Sequence, residues 1–231
     1  MGVLDFLFPK YCVSCRKIGS YICTNCFTTI SFDTQEMCVA CNRAAIGGVT
    51  HPVCATRFTI NAAVASIVYK GTVKKLLYNF KYKPYLSDLA SVLTDLFYEG
   101  IIQKEAFQSA LRPQAVLVPI PLHATKYRKR GYNQAKILAA GLGQKLSIPV
   151  VDLLKRTKNT PTQVGLPRDR RIENIKGAFA VSDKFGGKVN GATIFLVDDI
   201  LTSGATMSEA AKILKKAGAS KVYGLALAKD E

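Results

Sequence analysis

Residues 191–217, GATIFLVDDILTSGATMSEAAKILKKA, constrain the fold more than any other stretch of this 231-residue chain. Ile194, Phe195, Leu196 and Val197 form an apolar, β-rich run of the kind that is buried on both faces of a parallel sheet. Two adjacent carboxylates, Asp198 and Asp199, close it, and Thr202-Ser203-Gly204-Ala205-Thr206 follows after two residues. Met207, Ala210, Ala211, Leu214 and Ala217 then recur at helical spacing, and Gly218 is a stop signal. The order is strand, acidic pair, small hydroxyl-and-glycine loop, helix.

A loop of small residues that opens a helix offers unpaired backbone N–H groups and the positive end of the helix dipole, which suits a phosphate. In an open parallel sheet, ligands sit beyond the carboxyl ends of the strands, where this loop falls. Two carboxylates one step before it can accept hydrogen bonds from vicinal hydroxyls, so the pair and the loop together suit a sugar 5′-phosphate. The stretch is neither GxxxxGK[ST] nor GxGxxG. It resembles the phosphoribosyl-pyrophosphate (PRPP) signature of type I phosphoribosyltransferases. The alternative is an ordinary strand-to-helix turn with an aspartate at its start. The hydrophobic run, acid pair, loop and amphipathic helix stand in register, which favours the functional reading.

Cysteine is confined to the first 54 residues, as Cys12-x2-Cys15, Cys23-x2-Cys26, Cys38-x2-Cys41 and His51-x2-Cys54. Two ligands on a tight turn can face one metal, so four such pairs make two four-ligand zinc sites. Consecutive pairing gives one all-cysteine site and one of three cysteines and His51; interleaved pairing stays open. Disulfides are the rival, but seven cysteines leave one over and no secretion signal accompanies them. Such a module has little core of its own and depends on zinc to stay folded. The expected division is a zinc module over 1–57 and an α/β domain over 58–231.

The formal net charge is +16, and its distribution is more informative than its size. Residues 70–83, 123–136 and 155–177 hold seventeen of the 32 basic residues and two of the 16 acidic ones. Concentrated positive charge implies an anionic partner such as pyrophosphate or nucleic acid, with a solvated basic surface as the alternative. No apolar run approaches the roughly 20 residues of a membrane span. The N-terminus lacks a basic n-region and cleavage site, so a cytoplasmic location without membrane insertion is expected.

Within the second part, Ala62–Tyr69 is a strand, and Val73, Leu76, Leu77 and Phe80 mark a short basic helix. Leu86, Leu89, Leu93 and Leu96 form a second helical face. Tyr69, Tyr78, Tyr82 and Tyr85 alternate with lysines, a pattern able to stack bases; packing with the hydroxyls in water is the preferred expectation. Ala115–Val118 is a further strand, ended by Pro119-Ile120-Pro121. A cationic run through Arg130 then leads into a helix faced by Ala135, Leu138, Ala139, Leu142 and Leu146. Residues 155–178 are polar, cationic and punctuated by proline and glycine, and read as a mobile loop. Val222–Ala228 closes the sheet.

VPIPL, RGYNQA and DDILTSGAT behind paired zinc knuckles are together similar to the ComF family of competence-associated phosphoribosyltransferase-like proteins. The resemblance covers essentially the whole chain. VPIP also resembles the pyrophosphate-loop region of glutamine PRPP amidotransferases, which implies that Pro119, Ile120 and Pro121 line the pyrophosphate end. The pattern from Arg156 to Phe179 resembles the family's loop over PRPP, which implies that Arg168, Arg170 or Arg171 faces departing pyrophosphate.

The expected architecture is therefore a type I phosphoribosyltransferase-like parallel sheet flanked by helices, behind a double zinc ribbon. Asp198 and Asp199 are the expected ribose-binding and catalytic acids. Thr202, Ser203, Gly204, Ala205 and Thr206 are the expected phosphate loop, and Arg130 and Arg171 the expected pyrophosphate cations. Expected cofactors are structural Zn²⁺, two per chain, and Mg²⁺ with PRPP. The expected function is phosphoribosyl transfer to an unidentified acceptor in DNA uptake, with competence or DNA-processing proteins as partners. The alternative is a single-stranded nucleic-acid-binding protein in which the PRPP site is regulatory or vestigial.

Overall fold

A computed structural model describes residues 9–82, 87–160, 167–182 and 189–230. Of the positions singled out above, Tyr85, Leu86, the segment 161–166 and the N-terminal residues 1–8 lie outside them, as does the side chain of Arg168.

Four parallel strands form the central sheet, in the spatial order β1 (Ala62–Val68), β6 (Lys221–Lys229), β5 (Thr193–Leu201) and β2 (Ala115–Pro119). Between β1 and β2 run helices α1 (Gly71–Tyr82), α2 (Ser87–Ile101) and α3 (Glu105–Ala110). After β2 come α4 (Ala124–Arg130) and α5 (Gln134–Leu146). Helix α6 (Arg168–Ile175) lies between two short antiparallel strands, β3 (Leu154–Arg156) and β4 (Phe179–Val181), and α7 (Ala205–Lys216) joins β5 to β6.

Because side chains alternate across a strand, β5 feeds two cores at once. Phe195 and Val197 pack with Leu76, Leu77, Leu93, Phe97, Leu138 and Leu142 from α1, α2 and α5. Ile194 and Leu196 pack with Met207, Ala210, Ala211 and Leu214 of α7 and with Val222 and Ala226 of β6. All of these are essentially inaccessible to solvent. Double-sided burial explains why the strand's sequence is a continuous apolar run.

Two details depart from the sequence expectation. β5 continues through the acid pair to Leu201, paired with β6 at Asp198–Ala226, Ile200–Ala228 and Leu201–Lys229, so both acids belong to the strand. The basic stretch 155–178, expected as a mobile loop, holds β3 and α6 among its described residues. Here local structure is fixed by tertiary contact. Ile175 is buried in the second core, the Gly177 N–H donates to Glu209 Oε1 of α7 at 2.8 Å, and Lys158 Nζ donates to the Lys176 carbonyl.

The cysteine-bearing segment is two copies of one knuckle. Tyr11 pairs with Ile18 and Met37 with Ala44, and Cys12 and Cys38 accept N–H groups from Arg16 and Asn42, at 2.9 and 2.7 Å. Arg16 and Asn42 both take the left-handed conformation, with φ of 68° and 59°, as the tight turn requires.

Candidate functional site

A cavity of about 580 Å³ opens beyond the carboxyl ends of the parallel strands. Asp198, Asp199, Ile200, Thr202 and Thr206 line it from β5 and the start of α7; Ile120 and Leu122 line it from the turn after β2. Lys126, Arg130 and Gln134 come from α4 and α5, Arg156 from β3, Arg171 from α6, and Tyr69, Tyr78, Lys81 and Tyr82 from the β1–α1 region. A crevice at this edge of a parallel sheet is the usual ligand position of open α/β folds.

The two acids differ. Strand alternation places Asp199 on the α1 side of β5, where its carboxylate pairs with Lys81. Asp198 accepts the N–H of Asp199 through Oδ1 at 2.8 Å. Burial, together with the adjacent Asp199 charge, pushes the Asp198 carboxyl up to about 8.

Cations line a further wall of the same cavity. Burial lowers the Lys126 ammonium, and the nearby Arg156 and Arg130 charges lower it further; burial also lowers Arg156, against the pull of Asp198. Arg130 donates to Gln134 Oε1 at 2.7 Å and lies 5.5 Å from the centre of the Tyr82 ring. Two buried donors in this wall, Arg156 Nε and Gln134 Nε2, have no hydrogen-bond partner among the described residues. Crowded cations and unsatisfied buried donors in one wall make a site complementary to a polyanion.

Asn133 organises the turn beside them. Its Oδ1 accepts the Ala135 N–H as the cap of α5, and its Nδ2 donates to the Ile120 carbonyl, tying the proline turn to the helix. Gly131 ends α4 at φ 83°, a conformation that suits glycine.

The structure thus brings Asp198, Asp199, Thr202, Thr206, Ile120, Arg130 and Arg171 around one cavity. Ser203 and Ala205 line a neighbouring groove of about 450 Å³ between α6, α7 and the second knuckle. Gly204 caps α7 at φ 73°, and Pro119 ends β2. Neither Pro119 nor Pro121 is among the residues lining the main cavity. Lys81 is a charged contributor that the sequence pattern did not single out, whereas Gln134 lies within the RGYNQA motif quoted above. No spacing signal marks Lys81, whereas Arg156 opens the pattern already compared with the PRPP loop. Tyr78 and Tyr82 are 60% and 59% exposed, with ring centres 4.9 Å apart. These two rings pack on each other beside the cavity and not into the core, because α1 turns its Leu76–Leu77 face inward.

The metal-ligand residues gather into two groups, Cys12, Cys15, Cys23 and Cys26, and Cys38, Cys41, His51 and Cys54. Within each group the ligand atoms lie within 4.8 Å of one another, in consecutive pairing. The Cys15 and Cys23 sulfurs are 3.5 Å apart, near the roughly 3.8 Å separation that two 2.3 Å bonds to a tetrahedral zinc impose. His51 Nδ1 lies 3.2 Å from Cys41 Sγ while Nε2 meets the Ala44 carbonyl at 3.0 Å. That carbonyl fixes the tautomer that leaves Nδ1 free for a metal. The Arg43 N–H holds the Cys41 thiol down to about 6 even though burial opposes it, favouring the thiolate that zinc needs. The chemistry of both donor sets fits structural zinc.

The module meets the 202–206 loop at Val39. Val39, between Cys38 and Cys41, belongs to the same core as Leu201, Ala205 and Met207. A Cβ at Gly204 would stand 2.6 Å from Val39 Cγ1, so the knuckle rests directly on the loop.

Two family models match the chain: a double zinc ribbon domain over residues 3–56 and a phosphoribosyl transferase domain over residues 128–230. The chain is 35% identical to competence protein F of Haemophilus influenzae over 139 residues, 59% of this chain and 60% of that protein. It is 28% identical to the DNA utilization protein YhgH of Escherichia coli over 155 residues, 67% of this chain and 66% of that protein. These two alignments span less than two thirds of the relatives' lengths. With competence protein ComFC of Bacillus subtilis the identity is 24% over 229 residues, covering 91% of this chain and 85% of that one. No helix among the described residues is long and apolar enough to cross a membrane.

Proposed function

From the premise that the chain is a homologue of the ComF and ComFC competence proteins, joining a double zinc ribbon to a phosphoribosyl transferase domain, we propose that its cavity binds PRPP with Mg²⁺ and transfers the phosphoribosyl group in the handling of incoming DNA. The observation that carries this reading is one cavity lined by both an acid pair and a cluster of cations, with two buried donors, Arg156 Nε and Gln134 Nε2, unsatisfied among the described residues. The module 1–57 serves as a metal-held support and the domain 58–231 as the binding unit.

The backbone N–H groups of 202–206 hold the 5′-phosphate, at the positive end of α7. Asp198 and Asp199 accept hydrogen bonds from the ribose hydroxyls. The bond between C1 and the pyrophosphate oxygen breaks as the acceptor's lone pair approaches C1, and the sugar becomes oxocarbenium-like. Asp199, the carboxylate paired with Lys81, stabilises the positive charge. Lys126, Arg130, Arg156 and Arg171 receive the charge of the departing pyrophosphate. Bound together with PRPP, Mg²⁺ would supply further positive charge beside Lys126, Arg130, Arg156 and Arg171. Positioning supplies the rate, with no covalent enzyme intermediate.

Calorimetric titration of PRPP–Mg²⁺ tests the reading. Saturable binding is expected, and Asp198→Ala with Asp199→Ala together should abolish it; unchanged binding by the double variant would remove both acids from the site.

The exposed Tyr78–Tyr82 pair beside Arg130 favours a second reading, in which single-stranded nucleic acid stacks at the cavity rim. Binding would then weaken steeply as salt rises. No association at low salt would dismiss it.

A further inference from the structure

The acid pair has a partner that no sequence pattern announces. Lys81 stands in the last turn of α1, and its ammonium forms an ion pair with Asp199 Oδ2, the two side chains being 21% and 13% exposed. The helix that carries it is fixed: Leu76, Leu77 and Phe80 are buried in the first core, and Tyr132 Oη of the α4–α5 turn donates to the Phe80 carbonyl. Lys81 therefore reaches the carboxylate from a rigid element, not from a loop. Tyr69 follows β1, Tyr82 shares α1, Arg156 lies on β3, and Asp230 follows β6; these, with Asp198, are the titratable groups around the ion pair. Lys126, Arg130 and Arg171 complete the cavity's charges.

We infer that Lys81 is a positioning residue that keeps Asp199 the standing anion of the pair and aims its carboxylate into the cavity, leaving Asp198 to take up and release the proton. The inference rests on the ribose-binding reading above. Two carboxylates this close cannot both ionise without cost, and a cation on one of them decides which stays charged. Burial works against the Lys81 charge, yet Asp199 holds the ammonium above its usual range, so it stays charged across the working pH range. An ionised carboxylate is purely an acceptor, the form that suits hydroxyl donors. Ribose binding should accordingly strengthen as Asp198 loses its proton.

The test begins with carboxyl-carbon NMR on the full-length, zinc-loaded, ligand-free protein. Asp199 should be ionised and Asp198 protonated at pH 6.5; the reverse assignment overturns the inference in the wild type alone. Lys81→Met should move the pair's titration midpoint upward by about one pH unit or more, and Lys81→Arg should leave it nearly in place. PRPP–Mg²⁺ calorimetry between pH 7 and 9.5 follows, where the ligand's phosphates are already ionised. Lys81→Met should bind about tenfold more weakly at pH 7.5, with the gap closing as pH rises. A folded Lys81→Met protein with an unmoved midpoint, or with the same loss at every pH, makes Lys81 a strut only and overturns the inference. If the wild type binds no PRPP at all, the functional reading falls while the NMR result still decides the role of Lys81.

Discussion

The cysteine module and the α/β domain are held together by different physics. In the domain, β5 alone buries Ile194, Phe195, Leu196 and Val197 completely, on two cores. In residues 9–57 the only fully inaccessible described side chains are two of the ligands, Cys12 and Cys38, while Ile18, Ile46 and Val53 are 65%, 91% and 87% exposed. Apolar burial tolerates repacking; a metal-held turn tolerates only its ligands. The domain fails through its core, the module through its zinc, and the 202–206 loop through either, because Val39 rests on Gly204.

Metal removal should have the largest effect. Structural zinc contributes on the order of 10 kcal/mol to the fold of such modules, so a strong chelator should unfold residues 12–54 while leaving the sheet intact. Hydrogen exchange should then rise in the module and, through Val39, at 202–207. A loop whose protection is unchanged after zinc loss would separate the two regions entirely.

Gly204→Ala is next. It places a methyl 2.6 Å from Val39 Cγ1 at a φ of 73°, and about 2–4 kcal/mol of destabilisation is expected in chemical denaturation. Adding Val39→Ala should recover part of the loss, the steric part, and leave the backbone part. Strict additivity would mean that the two residues do not meet.

Asp198→Asn sharpens the comparison from the domain side. The folded-state carboxyl is raised to about 8 from an ordinary value of 3.8, so the native state binds the extra proton between those limits. Wild-type stability therefore falls as pH rises through that window and levels off above it. Asparagine removes the titration, so the variant should gain about 1–3 kcal/mol over wild type between pH 5 and pH 8.5, read from thermal melts. A constant difference across pH would contradict the assignment of the proton to Asp198.

The smallest effect belongs to Lys136→Ala. Its pair with Asp152 is 2.6 Å long but both side chains are about half exposed, and less than about 0.5 kcal/mol should be lost.

The two regions also differed in how far the sequence disclosed them. Ligand spacing alone announced the knuckles, because C-x2-C is itself the turn geometry; which pairs share a metal needed coordinates. In the domain, periodicity gave β1, β2, β5, β6, α1, α5 and α7 to within a few residues. The acid pair and the 202–206 loop could be picked out in the sequence because they are contiguous in the chain. Lys81 is 117 residues before Asp198, and Val39 lies farther still from Gly204, so these contacts depend on topology and leave no local pattern. The stretch 155–178 misled for a related reason: its polar composition reads as loop, while Ile175 and the Gly177–Glu209 bond hold it against α7. Of the tyrosines expected to pack, Tyr69 does so against the first core, while Tyr78 and Tyr82 pack on each other and stay exposed.

A crystal structure of the full-length zinc-loaded protein with PRPP and Mg²⁺ tests the central claim most directly. The account predicts ribose hydroxyls within hydrogen-bond distance of Asp198 and Asp199, the 5′-phosphate on the amides of 202–206, and pyrophosphate against Arg130 and Arg156. Density for PRPP elsewhere, or in the cavity with its ribose turned away from the two acids, would contradict it.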